Sequence, residues 1–251
     1  MNCFQLIFSP TGGTERVAKA LTQNWPAVQT IDLSVQNFTA PAISFHEDDL
    51  VLIALPVFEG MAPQPALDRL ALLQGNGARC ALAAVYGNRA VDNALAQMED
   101  HAQNAGFHPI AAVSAVAAHS LLPTFAIGRP DAADCQQLAD FGKQIFEKFS
   151  SGICTCPPIP GEHTCKEKRA GLIPTVAVNC TSCGLCAQAC PVGAISYDDC
   201  TITDPAKCIT CMRCVSRCPV HARSVDSAVV TRVTAFLKDL CSDRKRNTLI
   251  L

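Results

Sequence analysis

A chain of 251 residues, 49% hydrophobic and 17% charged, has room for one medium and one small folded domain and is too apolar to stay disordered. Its formal net charge of −2 argues against a nucleic-acid partner, and no uninterrupted apolar run of about 18 residues offers a membrane span. Sixteen cysteines would suit a secreted disulfide scaffold, but Met1-Asn2-Cys3-Phe4 opens with neither a basic start nor a cleavable apolar stretch, so a reducing, cytoplasmic setting is expected.

In chain order, short apolar runs at Cys3 to Phe8, Val28 to Leu33, Leu50 to Leu55, Arg79 to Tyr86 and Pro109 to Ala115 alternate with amphipathic stretches. That alternation predicts an α/β domain over residues 1–150, a doubly wound five-stranded parallel sheet. The clearest helix runs from Ala90 to about Ala105, with Val91, Leu95, Met98 and Ala102 on one face and Gly106 as its stop. Another follows Asp131 as N-cap, with Leu138, Phe141, Ile145 and Phe149 facing inward. Eight Lys/Arg against fourteen Asp/Glu make these 150 residues acidic.

Directly after the first strand comes Ser9-Pro10-Thr11-Gly12-Gly13-Thr14, and a helix begins. Hydroxyls and glycines at a helix N-terminus form a nest for a terminal phosphate, with Ser9, Thr11, Gly12, Gly13 and Thr14 as its donors. The loop carries neither the Lys of a nucleoside-triphosphate loop nor a GxGxxG dinucleotide pattern.

Residues 151–172 change character, with Pro157-Pro158, Pro160-Gly161 and Lys166-Glu167-Lys168-Arg169, and read as a linker. Cys154, Cys156 and Cys165 within it lack a fourth ligand at usual spacing and read as passive thiols. Cys3, Cys80 and Cys135 lie in apolar or helical surroundings and read as fillers of core or surface, and Cys200 and Cys241 fall outside the pattern described next.

Residues 173–226 hold one cysteine string twice, 28 positions apart: Cys180-x-x-Cys183-x-x-Cys186-x-x-x-Cys190-Pro191 and Cys208-x-x-Cys211-x-x-Cys214-x-x-x-Cys218-Pro219. Zinc uses two CxxC pairs and has no need of a third Cys at the same spacing followed by Cys-Pro. Three thiolates at this spacing wrap one corner of an iron-sulfur cube, and in the two-cluster bacterial pattern each string lends its last Cys to the other cluster. One [4Fe-4S] cluster is then expected on Cys180, Cys183, Cys186 and Cys218, and a second on Cys208, Cys211, Cys214 and Cys190. Gly184, Ala187, Ala189, Gly193 and Ala194 are small enough to let backbone amides approach cluster sulfides. Residues 227–251 are read as a C-terminal helix, apolar at Val229, Val230, Val233, Phe236, Leu237 and Leu240, and a basic tail, Arg244-Lys245-Arg246, taken as a solvated end without function.

Ser-x-Thr-Gly-x-Thr after the first strand resembles the phosphate loop of flavodoxins, and with the cysteine strings the chain resembles fused flavodoxin-ferredoxin proteins, found mostly in anaerobes. The resemblance implies a flavodoxin-like domain that binds FMN, followed by a small α+β ferredoxin domain with two 4Fe-4S clusters. It also implies two further flavin loops at the carboxyl edge of the sheet, Pro56-Val57-Phe58-Glu59-Gly60-Met61 and Tyr86-Gly87-Asn88-Arg89. The single Trp, Trp25, lies far from that edge, so Phe58 and Tyr86 are the aromatic candidates beside the flavin, and Arg89 would place a positive charge near the ring. His119 is expected to be a hydrogen-bonded structural residue.

The implied function is single-electron transfer between the clusters and FMN and on to an external redox protein. Two rivals remain at this stage: an FMN-dependent reductase of a small molecule fed by the clusters, and a ferredoxin module carrying a flavin-free docking domain. A homodimer is the expected remedy if flavin and clusters lie far apart within one chain.

Overall fold

The computed structural model describes residues 1–163 and 172–251. Cys165 and the charged run Lys166 to Arg169 lie outside the described residues. Five strands run parallel: β1 (Cys3–Ile7), β2 (Gln29–Asp32), β3 (Leu50–Pro56), β4 (Arg79–Tyr86) and β5 (His108–Val116). Between and after them come α1 (Gly13–Thr22), α2 (Gln64–Leu70), α3 (Ala94–Asn104) and α4 (Ala132–Ser150). The strand order is β2-β1-β3-β4-β5, the flavodoxin-like order, whose switch point between β1 and β3 opens a crevice at the carboxyl edge.

Alternation along each strand divides the core. Val51, Ile53 and Leu55 of β3 join Leu67, Leu70 and Met98 beneath α2 and α3. Leu50, Leu52 and Ala54 face the other way, onto Val17 and Leu21 of α1 and Leu138 and Ile145 of α4. A strand buried on both faces has to read as a continuous apolar run, which is why Leu50 to Leu55 carries no polar residue. The α1–α4 contact is close: the indole N–H of Trp25 donates to the Gly142 carbonyl at 2.9 Å, and a Cβ on Gly142 would fall 1.7 Å from the Leu21 carbonyl oxygen. Asp131 caps α4 in a capping box with Asp134, each side chain accepting from the other's backbone amide at 3.0 Å.

After α4 the chain runs back along α3 without helix or strand. The Glu162 amide donates to the Asn93 side chain, His163 pairs with Asp100, and Ile159 packs into the core. A small ferredoxin-type region follows, with β6 (Thr175–Val176), α5 (Leu185–Ala189), α6 (Arg213–Ser216) and β7 (Arg223–Ser224), where β6 and β7 pair antiparallel. Then come α7 (Ser227–Cys241) and β8 (Thr248–Ile250).

The C-terminal segment departs from expectation. β8 adds a sixth strand, antiparallel to β5, so the sheet is mainly rather than wholly parallel. The basic tail is exposed at Arg244 and Arg246, as expected, but it is also pinned by specific bonds. Arg244 pairs with Asp131 at 2.9 Å and Asp134 at 3.3 Å, the Lys245 carbonyl accepts from buried Arg129 at 2.7 Å, and the Lys245 amide donates to the Asn88 side chain at 3.2 Å. Buried Asn88 in the loop after β4 and buried Arg129 in the β5–α4 loop need these backbone partners, and three charges in a row could not reveal that.

Candidate functional site

The repeat seen in the cysteines is also written in the backbone. Ser182 and Thr210 both take positive φ, 52° and 56°, as do Gly184 and Met212, at 74° and 61°, which open α5 and α6. The Cys190 sulfur accepts from the Ala194 amide at 3.3 Å, and the Cys218 sulfur accepts from the Ala222 amide at 3.2 Å. Each bond spans four residues, and the two are 28 positions apart.

Around this pseudo-two-fold lie two cavities. The first, small and partly open to solvent, is lined by Cys190, Cys208, Cys211 and Cys214, with Thr203, Thr210 and Ile195 among its walls. The second, of similar size, is lined by Cys180, Cys183, Cys186 and Cys218, with Cys200 and Arg223 beside them. Each cavity is thus lined by three cysteines of one string and the last cysteine of the other. Among the described residues, no three of these or other Cys, His, Asp or Glu side chains are grouped tightly enough to hold a single metal ion.

Burial pushes the Cys211 thiol up to about 12 and the Cys214 thiol up to about 11, the latter against the pull of Arg223. Left to themselves these groups stay protonated at neutral pH, so a metal that takes them as thiolates has to supply the compensating charge. Burial also raises the Cys218 thiol, but the amides of Ala222, Arg223 and Val220 outweigh it and hold the group below its ordinary value. Thr210 lines the first cavity, and its hydroxyl is buried without a partner, so it would be free to donate to a group bound there. The residues present fit an iron-sulfur cluster at each cavity.

The first cavity lies against the sheet domain. Arg69 of α2 donates to the carbonyls of Leu33 and Pro191, and Pro191 is part of the cavity wall. From α6, Arg213 donates to the Ser34 carbonyl at 3.0 Å, while the Ser34 hydroxyl accepts from the Ser9 amide at 2.8 Å. One residue therefore touches both the cysteine region and the first strand's loop. Tyr197 donates to Gln36 at 2.7 Å, and a Cβ on Gly193 would come within 2.8 Å of the Gln36 side-chain nitrogen. The small size of Gly193, read from sequence as room for a sulfide, makes room for this contact.

At the carboxyl edge, Ser9 accepts from the Glu15 amide at 2.9 Å, and the Gly12 carbonyl accepts from the Arg16 amide at 3.0 Å. The amides of Thr11, Gly12, Gly13 and Thr14 have no acceptor among the described residues, as the opening turn of a helix leaves them. Gly12, at φ 89°, has open space where a side chain would stand. This cradle fits a phosphate of FMN.

The other two predicted loops meet each other. Phe58 and Met61 close a two-residue turn through paired backbone bonds, with Glu59 and Gly60 at φ 52° and 86°. A Cβ on Gly60 would overlap the Asp92 carboxylate, and Asp92 pairs with Arg89. Pro56 and Val57 continue β3, and the Val57 amide donates to the Val85 carbonyl at 2.8 Å. Phe58 is half-buried and Glu59 exposed. Tyr86 is buried, its hydroxyl 3.4 Å from the Arg246 carbonyl. The Asn88 amide nitrogen donates to the carbonyls of Cys241 and Asp243 at 2.7 and 2.8 Å, so its side chain is committed to the C-terminal segment. Gly87 packs against His119, whose ring nitrogen accepts from the amides of Leu121 and Leu122 at 3.2 Å; burial, aided by Arg89, lowers its pKa. Trp25 is buried against α4, away from this edge.

Residues 179–222 match the family model described as the 4Fe-4S dicluster domain. Following a sheet in the flavodoxin-like order, that match fits a flavodoxin-ferredoxin fusion. Among solved structures, the chain is similar to a flavodoxin from the domain Archaea, at 16% identity and TM-score 0.41 over 60% of this chain and 99% of that one. It is similar to the Streptococcus pneumonia TIGR4 flavodoxin at 15% identity and TM-score 0.40, over 59% and 99%. Two-electron reduced Megasphaera elsdenii flavodoxin gives 15% and 0.38, over 57% and 98%. The curated proteins contain no match. The fold assignment stands on strand order and register, not on these distant likenesses.

Sequence reasoning missed Thr203, Cys200 and Arg223 in the cavity walls, and Ser34, Arg69 and Arg213 at the contact with the sheet. For Arg223 a signal was available: 28 positions earlier the repeat carries Ile195, so a charge replaces an apolar residue in one copy only.

Proposed function

We propose that this chain is an electron-transfer protein holding two [4Fe-4S] clusters and one FMN, passing electrons among them and on to an external redox protein. Residues 1–150 form its flavin domain, 151–172 a linker, 173–226 the cluster domain, and 227–251 a helix and tail. Each cluster exchanges one electron, and FMN exchanges one or two.

The observation that carries this reading is the pair of cavities, each ringed by one crossed set of four cysteines. Cys190, Cys208, Cys211 and Cys214 hold the inner cluster, because Arg69 and Arg213 tie that side to the sheet. Cys180, Cys183, Cys186 and Cys218 hold the outer one, where the exposed Cys183 lets a partner approach. The amides of Thr11 to Thr14 hold the FMN phosphate, and the loops at Pro56 to Met61 and Tyr86 to Arg89 border the ring. The path then runs from outer cluster to inner cluster to flavin, or the reverse.

The test is purification without air, followed by an absorption spectrum and counts of extracted flavin, iron and sulfide per chain. One FMN with eight irons and eight sulfides is expected. A folded, colourless protein would overturn the proposal, and eight irons without flavin would remove its flavin half.

A further inference from the structure

Arg223 is 3% exposed and has no carboxylate partner among the described residues. One of its terminal nitrogens donates to the Thr203 hydroxyl at 3.1 Å and the other to the Cys200 carbonyl. Of the five donors on a guanidinium, these use two. A buried cation without a counter-ion is costly unless something of opposite charge accompanies it.

Its position indicates what that is. Arg223 lines the cavity of Cys180, Cys183, Cys186 and Cys218, and its partner Thr203 lines the cavity of Cys190, Cys208, Cys211 and Cys214. The guanidinium therefore stands at the partition between the two cysteine sets. The pseudo-two-fold makes this deliberate: Ile195, the counterpart in the first string, is just as buried, lines the first cavity and bridges to Thr203. One copy is therefore apolar and the other charged.

We infer that Arg223 is the shared internal counter-ion of the two clusters, a positioning and potential-setting residue rather than a structural pin. The inference rests on the proposed cluster assignment. Reduction of either cube by an external donor adds one electron and one negative charge, with no bond made or broken. A fixed cation beside both favours that added charge and raises both potentials. It makes two neighbouring sites easier to reduce together, which suits delivery of a pair of electrons to a flavin.

The test uses the full chain purified without air, with iron counted and both clusters followed by EPR during dithionite titration. Native protein with eight irons is the starting condition, and its failure would overturn the cluster assignment itself rather than the role of Arg223. In Arg223→Gln, which keeps a hydrogen-bonding head and loses the charge, both reduction equilibria are expected to weaken at least tenfold, about 59 mV for a one-electron couple. Arg223→Lys, which keeps the charge, is expected to retain iron and restore most of that shift. Full loading in Arg223→Gln with potentials unmoved, or a shift at one cluster alone, overturns the inference. If Arg223→Gln loses iron, Arg223→Lys decides: full loading at near-native potentials supports the charge role, and equal loss of iron overturns it in favour of a structural pin.

Discussion

Gly142 and Asp134 show how single side chains hold the sheet domain together. Gly142 sits where α4 crosses α1, and a methyl group there meets backbone rather than a flexible side chain. Gly142→Ala is expected to destabilise by about 1–3 kcal/mol, as overpacking does, and to lower the melting temperature without changing bound iron. Asp134 is 4% exposed and takes both arms of the Arg129 guanidinium, the Asp131 amide and the Asn247 side chain. Burial alone would raise its pKa, but these donors win and lower it from 3.8 to about 2. The group's contribution, about 2 kcal/mol from a shift of that size, is therefore complete above the ordinary carboxylate value and lost as pH falls through the folded one. Urea midpoints between pH 6 and pH 2.5 should fall more steeply for the native chain than for Asp134→Asn. At neutral pH the variant should be weaker by about 3–5 kcal/mol, because it leaves buried Arg129 without its carboxylate.

Among the elements, β8 has the clearest separate task. It pairs Ile250, Leu249 and Thr248 with Ala112, Val113 and Ser114, and the Asn247 side chain accepts from the Val116 amide at 2.9 Å. Without it β5 would be an open sheet edge, the kind that recruits other chains. Removing residues 247–251 should speed hydrogen exchange at Val116 and along β5, leave β1 and β3 protected, and raise the tendency to aggregate. α7 carries the chain from the cluster region to this edge. Asp226 caps it through the amides of Ala228 and Val229, and Val230, Val233 and Leu237 lie against Leu121, Leu122 and Phe125. Its expected apolar face is therefore only partly used, since Phe236 and Leu240 stay exposed.

At the scale of the whole molecule, ligand crossing and the contact between regions decide behaviour. Because Cys190 comes from the first string and lines the second string's cavity, and Cys218 the reverse, neither half can close alone. Cys190→Ser or Cys218→Ser should deplete iron and sulfide at both sites, measured as metal and sulfide per folded chain; loss of a single cluster would contradict the crossing. Arg213→Leu removes the bond to Ser34 and leaves the cysteines in place. It should keep full iron loading while slowing electron exchange between clusters and flavin, followed by stopped-flow absorbance.

Spacing by itself led to the proposed cysteine sets, because thiols a few residues apart on a short loop are confined by chain geometry and the 28-residue repeat supplies the mirror image. Alternation determined the five parallel strands: Leu50 to Leu55 has to be apolar to be buried on two faces, and Arg79 to Tyr86 was read to the residue. The phosphate loop was legible for the same local reason, since strand end, glycines and helix start are consecutive. What only the tertiary structure decided are the long-range partners. Asn88 was assigned to a flavin loop from its position, yet its side chain is held by backbone more than 150 residues later. The tail's charges concealed a strand whose pairing depends on a neighbouring edge, and Arg223 acquires its meaning from the two cavities that folding sets on either side of it. Local spacing is fixed by covalent geometry and is written in the sequence, whereas the satisfaction of buried polar groups depends on which distant backbone arrives.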